Sequence, residues 1–149
     1  MEIEKVTRNK EKYLPLLLMA DASAAMVETY LEDCELFAVE DRGEAIGVAA
    51  VVETEEGDIL IKNIAVSGKK RGKGYGKLLV DYVLKHYKGR YKTVYATTTG
   101  LDTACMEFFA HCGFSYSHTV EGFYVENYPM PILDDRARAQ DVLYFKKAL

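Results

Sequence analysis

From Ile64 to Leu79 the chain reads Ile-Ala-Val-Ser-Gly-Lys-Lys-Arg-Gly-Lys-Gly-Tyr-Gly-Lys-Leu-Leu. An apolar run passes into a basic, glycine-rich turn and then into an amphipathic stretch. This order predicts a buried strand, a turn and a helix in direct succession. Glycines at 72, 74 and 76 let successive backbone N–H groups converge on one anion. The following helix turns its positive end toward the same point. Arg71, Lys73 and Lys77 add full charges to these partial ones. The stretch therefore predicts a phosphate-binding turn, against the plainer reading of a solvated basic loop. A Walker loop would need G-x-x-x-x-G-K-[ST], and a dinucleotide fingerprint G-x-G-x-x-G; Gly72, Gly74 and Gly76 run G-x-G-x-G and fit neither.

Composition narrows the partners. The 149 residues carry 49% hydrophobic and 28% charged side chains, ordinary for one soluble globular domain. A net charge of −4 argues against a general nucleic-acid binder, so the cations between 69 and 77 are a local exception suited to one phosphate-rich ligand. Cys34, Cys105 and Cys112 lie in apolar contexts and read as buried free thiols. They share no ligand spacing with His86, His111 or His118, so no metal site is expected. The apolar run at 14–20 is too short to cross a bilayer and is broken by Pro15. A cytoplasmic protein without membrane partners is expected.

Along the chain, residues 2–6 alternate as an edge strand would. Residues 9–31 carry helical spacing, with Asp21 and Ser23 available to break it and cap a second helix. The apolar segments 36–39 and 45–52 flank Asp41-Arg42-Gly43 and predict a hairpin. The turn at 55–58 leads into a strand over 59–66. After the glycine turn, Leu78, Leu79, Tyr82, Val83 and His86 form one stripe of a helix that stops at Gly89. Strands are expected at 93–97, 114–116, 123–126 and 142–145, and a helix capped by Asp102 and ended by Gly113.

Two stretches carry a family likeness. Arg71-Gly72-Lys73-Gly74-Tyr75-Gly76 fits R-x-x-G-x-G and resembles the pyrophosphate loop of the GNAT superfamily of acyl-CoA-dependent N-acyltransferases. Residues 102–114 are similar to that family's N-x-x-A-x-x-x-Y-x-x-x-G-F segment. Here Asp102 replaces Asn, Ala104 falls one residue early and Phe109 replaces Tyr. The order of elements is similar along almost the whole chain. The resemblance implies an α+β fold: a central, mostly antiparallel, splayed sheet flanked by about four helices, in one GNAT domain over 1–149.

It further implies acetyl-CoA as acyl donor. The main chain of Ile64, Ala65 and Val66 would bond the pantetheine arm, as an added strand does. Arg71, Gly72, Lys73, Gly74, Tyr75, Gly76 and Lys77 would hold the pyrophosphate, with Asp102 and Phe109 bordering the donor. The implied activity is acetyl transfer to a primary amine of a small molecule or peptide, by direct attack in a ternary complex, from a monomer or homodimer. A non-catalytic acyl-CoA sensor is the alternative.

The chemistry needs a base for the alkylammonium, whose free pKa is about 10, and a proton for the departing thiolate. Phe109 cannot donate one. Where the family tends to place a strand Glu, this chain has Leu60 and Thr97. Asn63 is polar within an apolar strand and either orients water or is a satisfied core amide. Tyr124 and Tyr128 lie in the aromatic tail, and Tyr128 is the candidate general acid.

Overall fold

The computed structural model describes residues 2–21, 23–99, 102–121 and 141–149. The chain starts with β1 (Glu2–Val6), a 3-10 turn (Lys10–Tyr13), α1 (Leu14–Ala20) and α2 (Ala24–Leu31). Then come β2 (Glu35–Asp41), β3 (Glu44–Glu53), β4 (Ile59–Val66), a short 3-10 turn (Gly68–Lys70) and α3 (Tyr75–Tyr87). The chain continues with β5 (Thr93–Thr99), α4 (Thr103–His111), β6 (Ser115–Val120) and β7 (Val142–Ala148). The strand expected at 123–126, with Tyr124 and Tyr128, lies outside the described residues.

Local chemistry sets most of the boundaries. Pro15 sits in the first turn of α1, where its missing N–H has no helical partner to lose. The Ser23 side chain accepts from Met26 N at 3.2 Å and starts α2; Asp102 accepts from Cys105 N at 3.0 Å and starts α4. Arg42 and Gly43, at φ 53° and 79°, make the two-residue turn between β2 and β3.

The seven strands form one mixed sheet in the order β1-β2-β3-β4-β5-β7-β6. All neighbours pair antiparallel except β4 and β5, which are parallel and joined through α3. Alternation along β2 divides the core. Phe37 and Val39 face a layer with α3 and α4, while Leu36 and Ala38 face a layer with α1 and α2.

The buried stripe of α3 is Leu79, Val80, Val83 and Tyr87. Leu78, expected inside, is 40% exposed. The helix is turned so that Tyr82 and His86 lie at the margin of the stripe, their rings 5.8 and 5.0 Å from that of Phe37.

Two departures from regular pairing shape the middle of the sheet. β4 and β5 pair only at Ile59↔Val94, Leu60↔Tyr95 and Ile61↔Ala96. Beyond that point β4 runs on to Val66 held by β3 alone, and β5 to Thr99 held by β7 alone. The sheet therefore opens between them. At the same level β3 and β4 shift register: Val51 faces Ile61 and Ala50 faces Asn63, leaving Lys62 as the extra residue of a bulge.

Candidate active site

The opening between β4 and β5 is a cleft of about 640 Å³. Residues 61–66 of β4 form one wall, and Thr97, Thr98 and Thr99 of β5 the other. Asp102, Cys105, Phe108 and Phe109 of α4 close one end, with Arg71 and Gly76 beside them. At the other end stand Met19 and Ala20 from the end of α1 and the adjoining Asp21. Val142 and Tyr144 of β7 complete the lining.

Where β5 has parted from it, β4 presents backbone groups to this space instead of to a neighbouring strand. An extended ligand can bond there without displacing protein. The glycine turn adjoins the same edge. α3 starts at Gly74 with no side-chain cap, so the N–H groups of its first turn are available to an anion. Gly72 and Gly74 have φ of 75° and 87°, the left-handed region that a side chain disfavours. Gly76 is needed for another reason: a Cβ there would stand 3.0 Å from Phe108 Cε1.

Of the residues expected to hold a donor, Ile64, Ala65, Val66, Arg71, Gly76, Asp102 and Phe109 line the cleft. Gly72, Lys73, Gly74, Tyr75 and Lys77 lie on the adjoining turn and first helical turn, outside the lining itself. Arg71 Nε donates to Val66 O at 3.2 Å, fixing the turn against the end of β4. Lys77 Nζ donates to Asp81 at 2.9 Å, so its charge is partly answered within α3.

Phe109 is only 1% exposed, with its ring among those of Phe108, Phe114 and Phe145. Cys105 departs from the expectation of three buried thiols. It is partly exposed and lines the cleft, and burial pushes its thiol up to about 11 against a smaller opposing effect of a Thr98 hydrogen bond. Leu60 is buried, and Thr97 offers a hydroxyl where a carboxylate base was sought.

Sequence reading singled out Asn63 but missed the polar cluster it joins with Asp21, Tyr30 and Lys62 at the far end. Asn63 is 5% exposed, and its Nδ2 donates to Leu17 O at 2.9 Å and to Tyr30 Oη at 3.0 Å. The carbonyl of Leu17 can only accept, which fixes the amide orientation. Asn63 Oδ1 has no partner among the described residues. The Tyr30 hydroxyl donates to Asp21 Oδ2 at 3.4 Å, and Ser23 N donates to Asp21 Oδ1 at 3.1 Å. Lys62 Nζ lies 5.8 Å from the centre of the Tyr30 ring. Burial lowers the Lys62 pKa, with the charge of Asp21 opposing the shift. No spacing rule would connect 21, 30, 62 and 63; the packing of α1 and α2 against the bulged stretch of β4 brings them together.

An open strand edge beside a helix N-terminus without a side-chain cap is an arrangement that can accommodate an extended, phosphate-bearing ligand. The chain belongs to the GNAT acetyltransferase family, whose model, described as Acetyltransferase (GNAT) family, matches residues 8–114. It is similar to YvbK of Bacillus subtilis strain 168, named an uncharacterized N-acetyltransferase: 28% identity over 144 residues, covering 96% of this chain and 93% of that one. The fold matches the crystal structure of a GNAT family acetyltransferase from Elizabethkingia anophelis with acetyl-CoA bound. The TM-score is 0.89 at 29% identity, covering 99% of this chain and 97% of that one. A Bacillus subtilis acetyltransferase in complex with CoA gives 0.86 at 28% identity, covering 99% and 98%. No described helix is long and apolar enough to cross a membrane.

Proposed function

We propose that this acetyltransferase takes acetyl-CoA as its donor and passes the acetyl group to a primary amine of a small molecule or peptide, by direct attack in a ternary complex. The observation that carries this reading is the parting of β4 from β5 after Ile61, next to the uncapped start of α3. The main chain at Ile64, Ala65 and Val66 would bond the pantetheine arm. The N–H groups and cations from Arg71 to Lys77 would meet the pyrophosphate, where backbone donors and charge act together. Asp102 and Phe109 would border the thioester end.

Acetyl-CoA supplies an activated thioester, whose carbonyl carbon takes the amine lone pair and whose sulfur leaves with the electron pair. The protein's part is to strip a proton from the incoming ammonium, exclude water and return a proton to the sulfur. Phe109 has no proton to give. Tyr128, outside the described residues, is the phenol nominated for that step. Cys105 is held as a thiol, a poor nucleophile, which disfavours a covalent acyl-enzyme.

Calorimetry with acetyl-CoA, run beside a thiol-release assay over spermidine, kanamycin, free amino acids and short peptides, tests the reading. Binding together with thiol release matched by acetylated amine is expected. Binding without turnover on every amine favours the acyl-CoA sensor, which Phe109 in place of tyrosine would suit. In Tyr128→Phe the maximal rate should fall roughly 10- to 100-fold with acetyl-CoA affinity retained. A rate within about twofold of the unmodified protein removes Tyr128 as the acid.

A further inference from the structure

We infer that Lys62 is the group that takes the proton from the acceptor amine, with Asp21 as its counter-charge, at the end of the cleft away from the glycine turn. This rests on the transfer reading above and adds the base which that reading lacks.

The bulge is what brings Lys62 to the cleft. Regular alternation from Ile61 would send Lys62 and Asn63 to opposite faces. Because Lys62 is the extra residue between Ile61 and Asn63, both side chains lie on the α1–α2 side. Asn63 reaches Leu17 and Tyr30 there, and Lys62 lies over the Tyr30 ring. The same residue sits one position beyond the last β4–β5 pair, where the cleft begins.

The other titratable groups lining the described cleft are less suited. Arg71 has no acceptor atom and donates to Val66 O, and Asp102 is engaged in capping α4. Burial raises the pKa of both Cys105 and Tyr144, so each is protonated near neutrality and has no vacant site for a proton. Asp21 accepts from Ser23 N and from Tyr30, which engages both of its oxygens.

Lys62 is different in kind. A desolvated amine sheds its proton more readily than an exposed one and can exchange with an alkylammonium of similar basicity. Facing it are the Asp21 carboxylate after α1 and the Tyr30 ring on α2, with Thr97 of β5 and Tyr144 of β7 lining the same cleft. The step balances without another reagent. Neutral Lys62 takes one proton from the ammonium, the freed lone pair forms the C–N bond as the C–S electron pair leaves on sulfur, a second nitrogen proton passes to that thiolate, and Asp21 steadies the charge left on Lys62.

Two measurements test this. In protein carrying ¹³C at lysine Cε, the Lys62 signal is assigned by its loss in Lys62→Met and titrated with CoA present. It should titrate below the other lysines; titration together with them overturns the assignment. In parallel, kcat/KM against pH is measured with the best amine of the panel. Lys62→Met and Lys62→Arg should both lose about 100-fold or more near pH 7, and the deficit should shrink as the amine deprotonates unaided. Acetyl-CoA affinity should hold in both. A Lys62→Arg protein within about threefold of the unmodified one means that only the charge matters, and overturns the role as base. No thiol release by the unmodified protein is a failure of the transfer reading instead, and the NMR titration then decides Lys62 by itself.

Discussion

Phe109 occupies two environments at once. Its ring packs with Phe108, Phe114 and Phe145, yet the same residue lines the cleft. A hydroxyl added to a ring sealed on every side is left without a partner and costs about 1–3 kcal/mol. A hydroxyl that enters the cleft meets water or ligand and costs little. The cleft position is the more telling fact, so Phe109→Tyr should fold with a loss below about 1 kcal/mol and should keep or modestly raise turnover. Urea unfolding beside the thiol-release assay checks this. A loss of about 2 kcal/mol or more would place the ring edge inside the core and undo the match of α4 to the family's Tyr position. Cys105, one helical turn earlier, shows the same division: its neighbours are apolar, but its thiol borders the cleft. Sequence context identified the first property and could not give the second, because the opposite wall belongs to a distant strand.

Among the elements, Glu35 ties three together. It begins β2 and accepts from Lys5 of β1 and from the Tyr87 hydroxyl of α3. Burial works to raise its pKa, but the hydrogen bonds from Lys5 and Tyr87 outweigh this and hold the carboxyl below its ordinary 4.5. A depressed folded pKa contributes stability that is fully present above the unfolded value and is lost as pH falls through the folded one. Glu35→Gln should therefore lower the urea midpoint at pH 7, and the gap from the unmodified protein should close as the solution is taken below pH 4.5. A gap of constant size would show that packing, not the carboxylate charge, joins these elements. Glu40, held low by Tyr13 and Lys12, should leave some acid sensitivity in the variant. Element boundaries of this kind were legible where neighbouring residues encode them, as at Ser23, Asp102 and Arg42-Gly43. The stripe of α3 was read slightly out of rotation, because Leu78 is as apolar as the neighbouring Leu79 and Val80 and only the sheet decides which of them it covers.

At the scale of the whole molecule, the wall of the cleft built from residues 64–77 was legible and the far end was not. Residues 64–77 are contiguous, so their strand, glycine turn and helix could be read in order. Lys62, Thr98 and Tyr144 meet only because β7 pairs with β5 and because a bulge opposite Ala50 and Val51 turns Lys62 toward α2. Neither fact has a local signal. The glycine turn, where the donor is proposed to bind, also allows binding to be separated from folding. Gly74 has φ 87°, and a Cβ there would meet nothing within 4 Å. Gly74→Asp therefore carries a conformational cost of about 1–2 kcal/mol, moderated because Asp tolerates the left-handed region better than most residues. It also brings a carboxylate to the point where phosphate is expected, at the start of α3. The effect on binding should be larger than the effect on folding. Acetyl-CoA at about 100 times its Kd should stabilise the unmodified protein by roughly 2.7 kcal/mol, a rise of some 5–10 °C in Tm for a chain of this size. In Gly74→Asp the unliganded Tm should fall modestly, while the ligand-induced rise at the same acetyl-CoA concentration should largely disappear. A full rise in a folded Gly74→Asp protein would mean that the pyrophosphate does not sit at this turn.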